Sequence, residues 1–328
     1  MIELDDIRRT RRHDHGEQIL LDSVDLYLDA GEVCGVVGEP ADGPRTLLRC
    51  VNLLERPDEG TVRVAGEDLT AMSPRQLRRA RHAIGVLGPG DRLLEQRTVA
   101  RNVSLPLEFA GVRQRERDLR VDEILDRMGL AEVADRWPSD LTAEERRRTA
   151  VARAFVTRPR VLLCQEPTGG LSEDGARSLL ALMRGLIADQ QTTVLVATQN
   201  PAELAALCES VAFLHDGRVV EQGTLPDTIA NPSSKLASLF LPTLPDPDAE
   251  HGTGAVLVDL TFAGVDPHVL SEVTRACGVG VSVVAGSLES LRSRTVGRLR
   301  VELTGSGEDC QRALDKLTDL ALSPKVHP

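Results

Sequence analysis

Short, mainly apolar runs alternate with helical patterns through most of this chain. The runs lie at residues 32–37, 160–164 and 193–197 and read as strands buried on both faces. The intervening helical stretches lie at residues 46–54, 121–128, 144–155 and 173–187. Strands of this kind separated by helices are typical of three-layer α/β domains. The predicted fold class for the larger part of the chain is therefore α/β.

A segment rich in proline and acidic residues interrupts the pattern at 241–253, where no packed element can continue. The 328 residues are also more than one ordinary core holds. We therefore predict a domain at 1–240, a linker at 241–253 and a second domain at 254–328. In the second domain the strands and helices follow in the order βαββα, which predicts a small α+β, ferredoxin-like fold. Only Lys325 and Val326 are left for a last strand.

Composition excludes several classes of function. The chain has only three lysines, Lys235, Lys316 and Lys325, so chemistry that needs an early lysine is excluded. Its net charge is −11 and it has one Trp, one Tyr and five Phe, which argues against a nucleic-acid partner. The arginine clusters at 8–12, 78–81 and 146–148 are interpreted as solvated faces.

The cysteines and histidines give no sign of a redox or metal site. The six cysteines lack a pairing pattern, which fits a reduced cytoplasm, and Cys34, Cys50 and Cys164 are expected to be buried packing residues. No histidine spacing suggests a metal site. The sequence shows no signal peptide and no apolar run near 18 residues, so a cytoplasmic protein is expected.

One glycine-containing loop follows the first buried strand and precedes a helix. Gly38 and Gly43 are spaced as in the phosphate-binding pattern G-x-x-x-x-G-K-[ST], and Thr46 begins the helical stretch. Pro44 and Arg45 occupy the lysine and hydroxyl positions. By itself this loop is a weak signal, because glycine loops between strands and helices are common.

The segments downstream make the signal specific. Residues 141–155, 158–168 and 193–199 resemble the signature loop, Walker B strand and switch region of ABC transporter ATP-binding subunits, in that order. Residues 49–57 and 97–108, with the small C-terminal domain, resemble more narrowly the methionine importer family and its ACT-like NIL domain. The resemblance implies a P-loop-type ABC ATPase domain followed by a NIL domain, with ATP and Mg²⁺ as the family's ligands.

The chain departs from this family where ATP chemistry would be done. Pro44 removes the charge that would meet the phosphates, and Arg45 replaces the metal-binding hydroxyl. Thr46 is kept. Gln165 stands at the Walker B aspartate position, whereas the neighbouring general-base position keeps its carboxylate as Glu166. The Q-loop glutamine is replaced by Pro89 and the switch histidine by Gln199.

The signature loop also differs from that of the family. At the adenine-stacking position, Arg11 or a neighbour stands where the family has an aromatic residue. Here Thr142 and Glu145 form a capping-box pattern, while Glu144 and Glu145 would repel a phosphate. The residues of the former signature loop are Leu141, Thr142, Ala143, Glu144 and Glu145. Glu166 is the one catalytic candidate, as a general base. The alternative is that it is a carboxylate at a strand end that has kept its position but has no catalytic role.

The family's NIL domain binds methionine and dimerises. The resemblance therefore implies a ligand region for methionine or another small amino acid at Gly278, Val279, Gly280 and Val281, whose small residues allow close backbone approach. These glycines could equally serve packing alone.

Three functional hypotheses follow. The first is a degenerate homologue, without efficient ATP hydrolysis, that keeps a regulatory or partner-binding role as a homodimer beside a membrane permease or an active paralogue. This hypothesis expects no bound cofactor and a position at the inner face of the cell membrane. The second is a soluble enzyme or small-molecule-binding protein recruited from the scaffold. The third is an active methionine import ATPase.

Overall fold

The computed structural model describes residues 1–13, 16–38, 43–90, 92–231, 233–241, 244, 255–264, 268–291, 294–320 and 322–326. The chain forms two units, Met1–Gln222 and Gly223–Pro328. The predicted boundaries at 240 and 254 stay predictions, and most of the predicted linker lies outside the described residues. No helix in the described ranges is long and apolar enough to cross a membrane.

A six-stranded sheet forms the centre of the first unit, in the order β10-β9-β3-β8-β7-β6. Its strands are β3 (Val33–Gly38), β6 (Ile84–Leu87), β7 (Val161–Gln165), β8 (Thr193–Ala197), β9 (Ser210–His215) and β10 (Arg218–Thr224). The five strands from β9 to β6 pair in parallel. Strands β3 and β8 are buried along their whole length, as their continuous apolar runs predict. The α/β fold class is confirmed.

A second, antiparallel sheet has the order β2-β1-β4-β5. Its strands are β1 (Ile2–His13), β2 (Gly16–Leu28), β4 (Glu59–Val64) and β5 (Glu67–Asp68). Helix α1 (Gly43–Val51) buries Leu47 and Val51 in one core with side chains of both sheets, such as Val62 and Leu195. This packing fixes the beginning of α1 next to the end of β3.

The remaining helices of the first unit cover the central sheet and form a helical layer. They are α2 (Pro74–Ala80), α3 (Val99–Phe109), α4 (Gln114–Met128), α5 (Ala143–Phe155), α6 (Glu173–Gln190) and α7 (Pro201–Leu207). Helix α4 ends at Gly129, whose φ of 67° is the left-handed conformation that favours glycine. Helix α5 begins at the capping box of Thr142 and Glu145 that the sequence predicts.

The second unit is built on a four-stranded antiparallel sheet of order β12-β13-β11-β14. Its elements are α8 (Leu225–Ala230), α9 (Ala237–Phe240), β11 (Ala255–Ala263), α10 (Val269–Cys277), β12 (Gly280–Leu291), β13 (Arg294–Thr304), α11 (Gly307–Asp319) and β14 (Ser323–Val326). The last strand is real, because Lys325 and Val326 pair with Asp259 and Val258 of β11. Helices α10 and α11 close one core with this sheet, as the ferredoxin-like prediction requires.

Candidate functional site

A cavity of about 150 Å³ lies at the carboxyl ends of β3, β7 and β8. Parallel strands end at the same edge of a sheet, which is where α/β folds place their ligands. The cavity therefore collects side chains from distant parts of the sequence. The residues that line it are Val36, Gly38, Pro44, Arg45, Gln165, Glu166, Ala197, Thr198 and Gln199. Six of these nine are residues that the sequence singled out.

The beginning of α1 forms one wall. Pro44 occupies the first turn, where its missing N–H costs no helical hydrogen bond. Arg45 is exposed, and Thr46 is buried and not part of the lining. The two glycines of the loop are required by packing. A Cβ on Gly38 would lie 2.9 Å from the Leu214 carbonyl oxygen, and one on Gly43 would lie 2.3 Å from the Leu214 side chain. Residues 39–42 of this loop lie outside the described residues.

The opposite wall is the end of β7. Gln165 is half-buried and Glu166 is exposed. Glu166 has a φ of 45°, which is uncommon for a residue with a side chain. Its N–H donates to the Ala197 carbonyl oxygen at 3.0 Å, and its carbonyl oxygen accepts from the Gly169 N–H at 3.1 Å. The main chain of Glu166 is thus held on both sides, and Glu166 is one of the residues that line the cavity.

Gln199, at the switch position after β8, closes the third side. Its side-chain amide donates to the carbonyl oxygen of Gly38 at the end of β3. The side chain predicted at the switch position is therefore bonded to the last residue of β3.

Three of the predicted sites do not line this cavity. Pro89 follows β6 and does not line this cavity. Residues 141–145 lie at the beginning of α5, also outside the lining. There the Thr142 N–H donates to the Glu145 carboxylate at 2.8 Å, and this contact holds the pKa of Glu145 below its ordinary value. Arg11, which the sequence predicts at or next to the adenine-stacking position, lines a separate cavity of about 780 Å³.

Arg147 is a buried residue that the sequence analysis does not identify. The pattern at 146–148 predicts a solvated face, but Arg147 is only 2% exposed. That interpretation is wrong because Arg147 shares a helical face with Ala150, Val151 and Ala154, all of which are buried. The spacing i, i+3, i+4, i+7 marks such a face in the sequence.

In the predicted ligand region of the second unit only Val279 is buried, while Gly278 and Gly280 are exposed. Gly278 ends α10 with a φ of 70°, and Val279 belongs to the core. A Cβ on Gly280 would lie 2.4 Å from the Thr304 hydroxyl oxygen. Gly280 is thus required by a close contact and Gly278 by its left-handed φ, and a ligand there stays a prediction.

The residues that line the cavity suit a phosphate group better than Mg²⁺. Arg45, a cation at the beginning of a helix, suits a phosphate group. Arg45 and Gln165, which the sequence predicts at the metal-binding hydroxyl and aspartate positions, are poor ligands for Mg²⁺. Glu166 is the one carboxylate residue among those that line the cavity. Within the described ranges no group of three or more His, Cys, Asp or Glu side chains could hold a metal ion.

Comparison with known proteins identifies both units. The ABC transporter family model matches residues 21–169, and the NIL domain model matches residues 256–326. The methionine import ATP-binding protein MetN of Streptomyces avermitilis is 39% identical over 94% of this chain and 90% of its own length. Those of Symbiobacterium thermophilum and Thermobifida fusca are 39% and 41% identical, over 100% and 97% of this chain and 99% and 97% of their own length.

Solved structures with a similar fold are ABC transporter cassettes. A dimeric bacterial ABC transporter cassette, MJ0796, matches with a TM-score of 0.64 and 27% identity over 69% of this chain and 99% of its own. The same cassette in a post-hydrolysis state bound to ADP and Pi matches at 26% identity, with the same TM-score and the same coverage of both chains.

The expectation that no cofactor is bound is wrong, because the relatives are ATP-binding proteins and the family's ligands are ATP and Mg²⁺. The near-complete coverage by these relatives, the ABC cassette fold and the C-terminal NIL domain lead to one assignment. This chain belongs to the family of methionine import ATP-binding proteins, the ATP-binding subunits of ABC transporters.

Proposed function

We propose that the protein is the ATP-binding subunit of a methionine-type importer, and that it binds ATP in the cavity at the ends of β3, β7 and β8 but hydrolyses it slowly. The observation that carries the proposal is the lining of that cavity. Pro44, Arg45, Gln165 and Gln199 meet there around the single carboxylate of Glu166. The fold is that of the family, while the residues at these four positions differ from those expected for an active ATPase of the family.

Binding depends on the groups that remain. Arg45 supplies a positive charge at the beginning of α1, where the helix dipole also favours an anion. A guanidinium can donate two parallel hydrogen bonds to phosphate oxygens, so Arg45 takes over part of the role of the missing lysine. Nucleotide affinity is therefore reduced and not abolished.

Hydrolysis depends on the groups that have changed. Phosphoryl transfer is catalysed mainly by positioning and by charge stabilisation of the transferring group. Glu166 is the carboxylate residue among those that line the cavity, and a carboxylate can accept a proton from an attacking water. Gln199 is bonded to the Gly38 carbonyl oxygen and carries no charge. Loss of one such stabilising group typically costs about 10²–10³ in rate, so slow turnover follows from several losses together.

The proposed partners are a second copy of the chain and a membrane permease. The solved relative MJ0796 is dimeric. A groove of about 320 Å³ between β6, α3 and the end of α5 is lined in part by Val86, Pro106 and Phe109, and Phe109 is 73% exposed. This groove adjoins the 97–108 segment that resembles the permease-facing surface of the family. We place the permease here, and hence the protein at the inner face of the membrane.

Calorimetry with MgATP and a steady-state ATPase assay test the proposal together. We expect saturable MgATP binding and a kcat well below about 1 s⁻¹, the low end of ordinary enzymes. The Glu166→Gln variant should bind ATP equally well and lose the residual turnover. Absence of saturable MgATP binding would contradict the proposal that the protein binds ATP. A higher kcat abolished in the Glu166→Gln variant would favour the second candidate, an active import ATPase, which the 39–41% identity to MetN proteins supports.

A further inference from the structure

The side chain of Arg147 joins two loops that are far apart in the sequence. It extends from α5 and is only 2% exposed. One loop is at residues 88–90, after β6, and contains the Q-loop position Pro89. The other is at residues 165–167, at the end of β7, and contains Glu166.

All five N–H donors of the guanidinium meet main-chain carbonyl oxygens of these loops. Nε donates to Pro167 at 2.6 Å. Nη2 donates to Glu166 at 2.5 Å and to Gln165 at 3.3 Å. Nη1 donates to Gly88 at 3.0 Å and also to Gly90. Five donors in a fixed plane are the full capacity of an arginine, and a lysine ammonium has only three donors on one atom.

The contact with Glu166 bears on the conformation of that residue. Glu166 has a φ of 45°, which costs free energy and persists only where neighbouring groups hold it. Its carbonyl oxygen accepts from Arg147 and from the Gly169 N–H. The two hydrogen bonds fix the peptide plane that follows Glu166 and thereby the direction in which its carboxylate leaves the main chain.

We infer that Arg147 is a positioning residue, which orients Glu166 toward the cavity and makes the 88–90 and 165–167 loops move as one body. The part that concerns turnover rests on the proposed function. The part that concerns the coupling of the loops does not. In this chain the link between the loops is a buried guanidinium bonded to main-chain atoms, while the side chain at position 89 is a proline ring without a hydrogen-bonding group.

Hydrogen exchange of the full-length wild-type protein tests the coupling without any substitution. In low concentrations of urea, the slowest amides of peptides covering 85–94 and 163–170 should open with the same free energy and the same urea dependence. Different opening free energies for the two peptides would overturn the inference.

Substitution then assigns the coupling to Arg147. In the Arg147→Lys and Arg147→Gln variants, both peptides should exchange at least about tenfold faster, because most of the five hydrogen bonds are lost. Arg148→Lys is the matched control: Arg148 lies on the same helix and bonds Met128, Glu144 and Ser178, which lie outside both loops. Acceleration in one peptide only, or equal acceleration in the control, would overturn the inference.

ATP turnover provides the readout for positioning. Where wild type has residual turnover, Arg147→Lys should lower kcat at least about tenfold and leave KM within about twofold, because the carboxylate and not the binding surface is displaced. A change in KM alone, or an equal loss in Arg148→Lys, would overturn the positioning role. If the wild type shows no turnover, the proposed function fails at that step, and the exchange measurements still decide the coupling.

Discussion

The side-chain amide of Gln199 donates a hydrogen bond to the carbonyl oxygen of Gly38, so the segment that follows β8 is joined to the end of β3. The two residues are 161 positions apart in the sequence. This bond occupies the side chain that stands at the switch position, and it satisfies a main-chain oxygen at the mouth of the cavity. The side chain predicted at the switch position therefore contributes to the stability of the end of β3.

Removal of the hydrogen bond between Gln199 and Gly38 should destabilise the protein. We expect Gln199→Ala to lower the free energy of unfolding by about 1 kcal/mol, the usual net value of such a hydrogen bond. Urea denaturation of the full chain measures this free energy. Gln114→Ala, at an exposed position at the beginning of α4, is the control and should change stability by less than about 0.5 kcal/mol. Equal effects of the two substitutions would show that the bond contributes nothing.

Restoration of the family's residues should raise turnover. The triple variant Pro44→Lys, Arg45→Ser, Gln165→Asp returns the phosphate charge, the hydroxyl and the second carboxylate to one cavity. We expect at least about a hundredfold higher kcat than wild type in a coupled ATPase assay, since each such group is worth about that factor. Addition of Glu166→Gln to the triple variant should abolish the gain. An unchanged kcat in a folded triple variant would show that these positions do not limit hydrolysis.

The capping box of α5 should make stability depend on pH. The hydrogen bond from the Thr142 N–H lowers the pKa of Glu145 in the folded protein. The stabilisation is therefore present above the unfolded pKa of about 4.3 and is lost as pH falls through the lower folded pKa. In the Glu145→Gln variant this loss should be absent, so the stability difference from wild type should shrink between pH 5 and about pH 3.

Thermal unfolding at several pH values measures this effect. Glu132→Gln removes an exposed carboxylate and serves as the control, because its stability difference from wild type should not vary over the same range. Thr142→Ala should cost about 1 kcal/mol at neutral pH through loss of the cap. A pH-independent difference between Glu145→Gln and wild type would contradict the role assigned to the carboxylate.

The buried cysteines should be inert in the native protein. Burial raises the pKa of Cys34 and of Cys50 to about 12, and it also raises the pKa of Cys164. Since the thiolate is the reactive form, thiol reagents at pH 8 should modify these residues only when the protein opens. Mass spectrometry of the labelled peptides, with and without denaturant, measures it. Rapid labelling of Cys34 in native conditions would contradict the packing role and would favour a nucleophile.

Much of the fold could be predicted from local patterns. The strand predicted at 193–197 is found as β8 (Thr193–Ala197), and the other two predicted strands are displaced by one residue. Helix α1 begins three residues before the predicted position, because Gly43 and Pro44 are accommodated in its first turn. In the second unit, two residues expected at the end of the chain are part of a four-residue strand, β14, since strand pairing extends along β11.

The sequence by itself determined the α/β class, the family and the residue types at each functional position, because buried strands and motif spacings are local properties of the chain. Only the tertiary structure decided which groups meet. The burial of Arg147 with two loops, the bond from Gln199 to Gly38 and the left-handed conformation of Glu166 each depend on segments that are distant in sequence. A side chain's partners follow from the strand order and helix packing around it, and no local pattern specifies these.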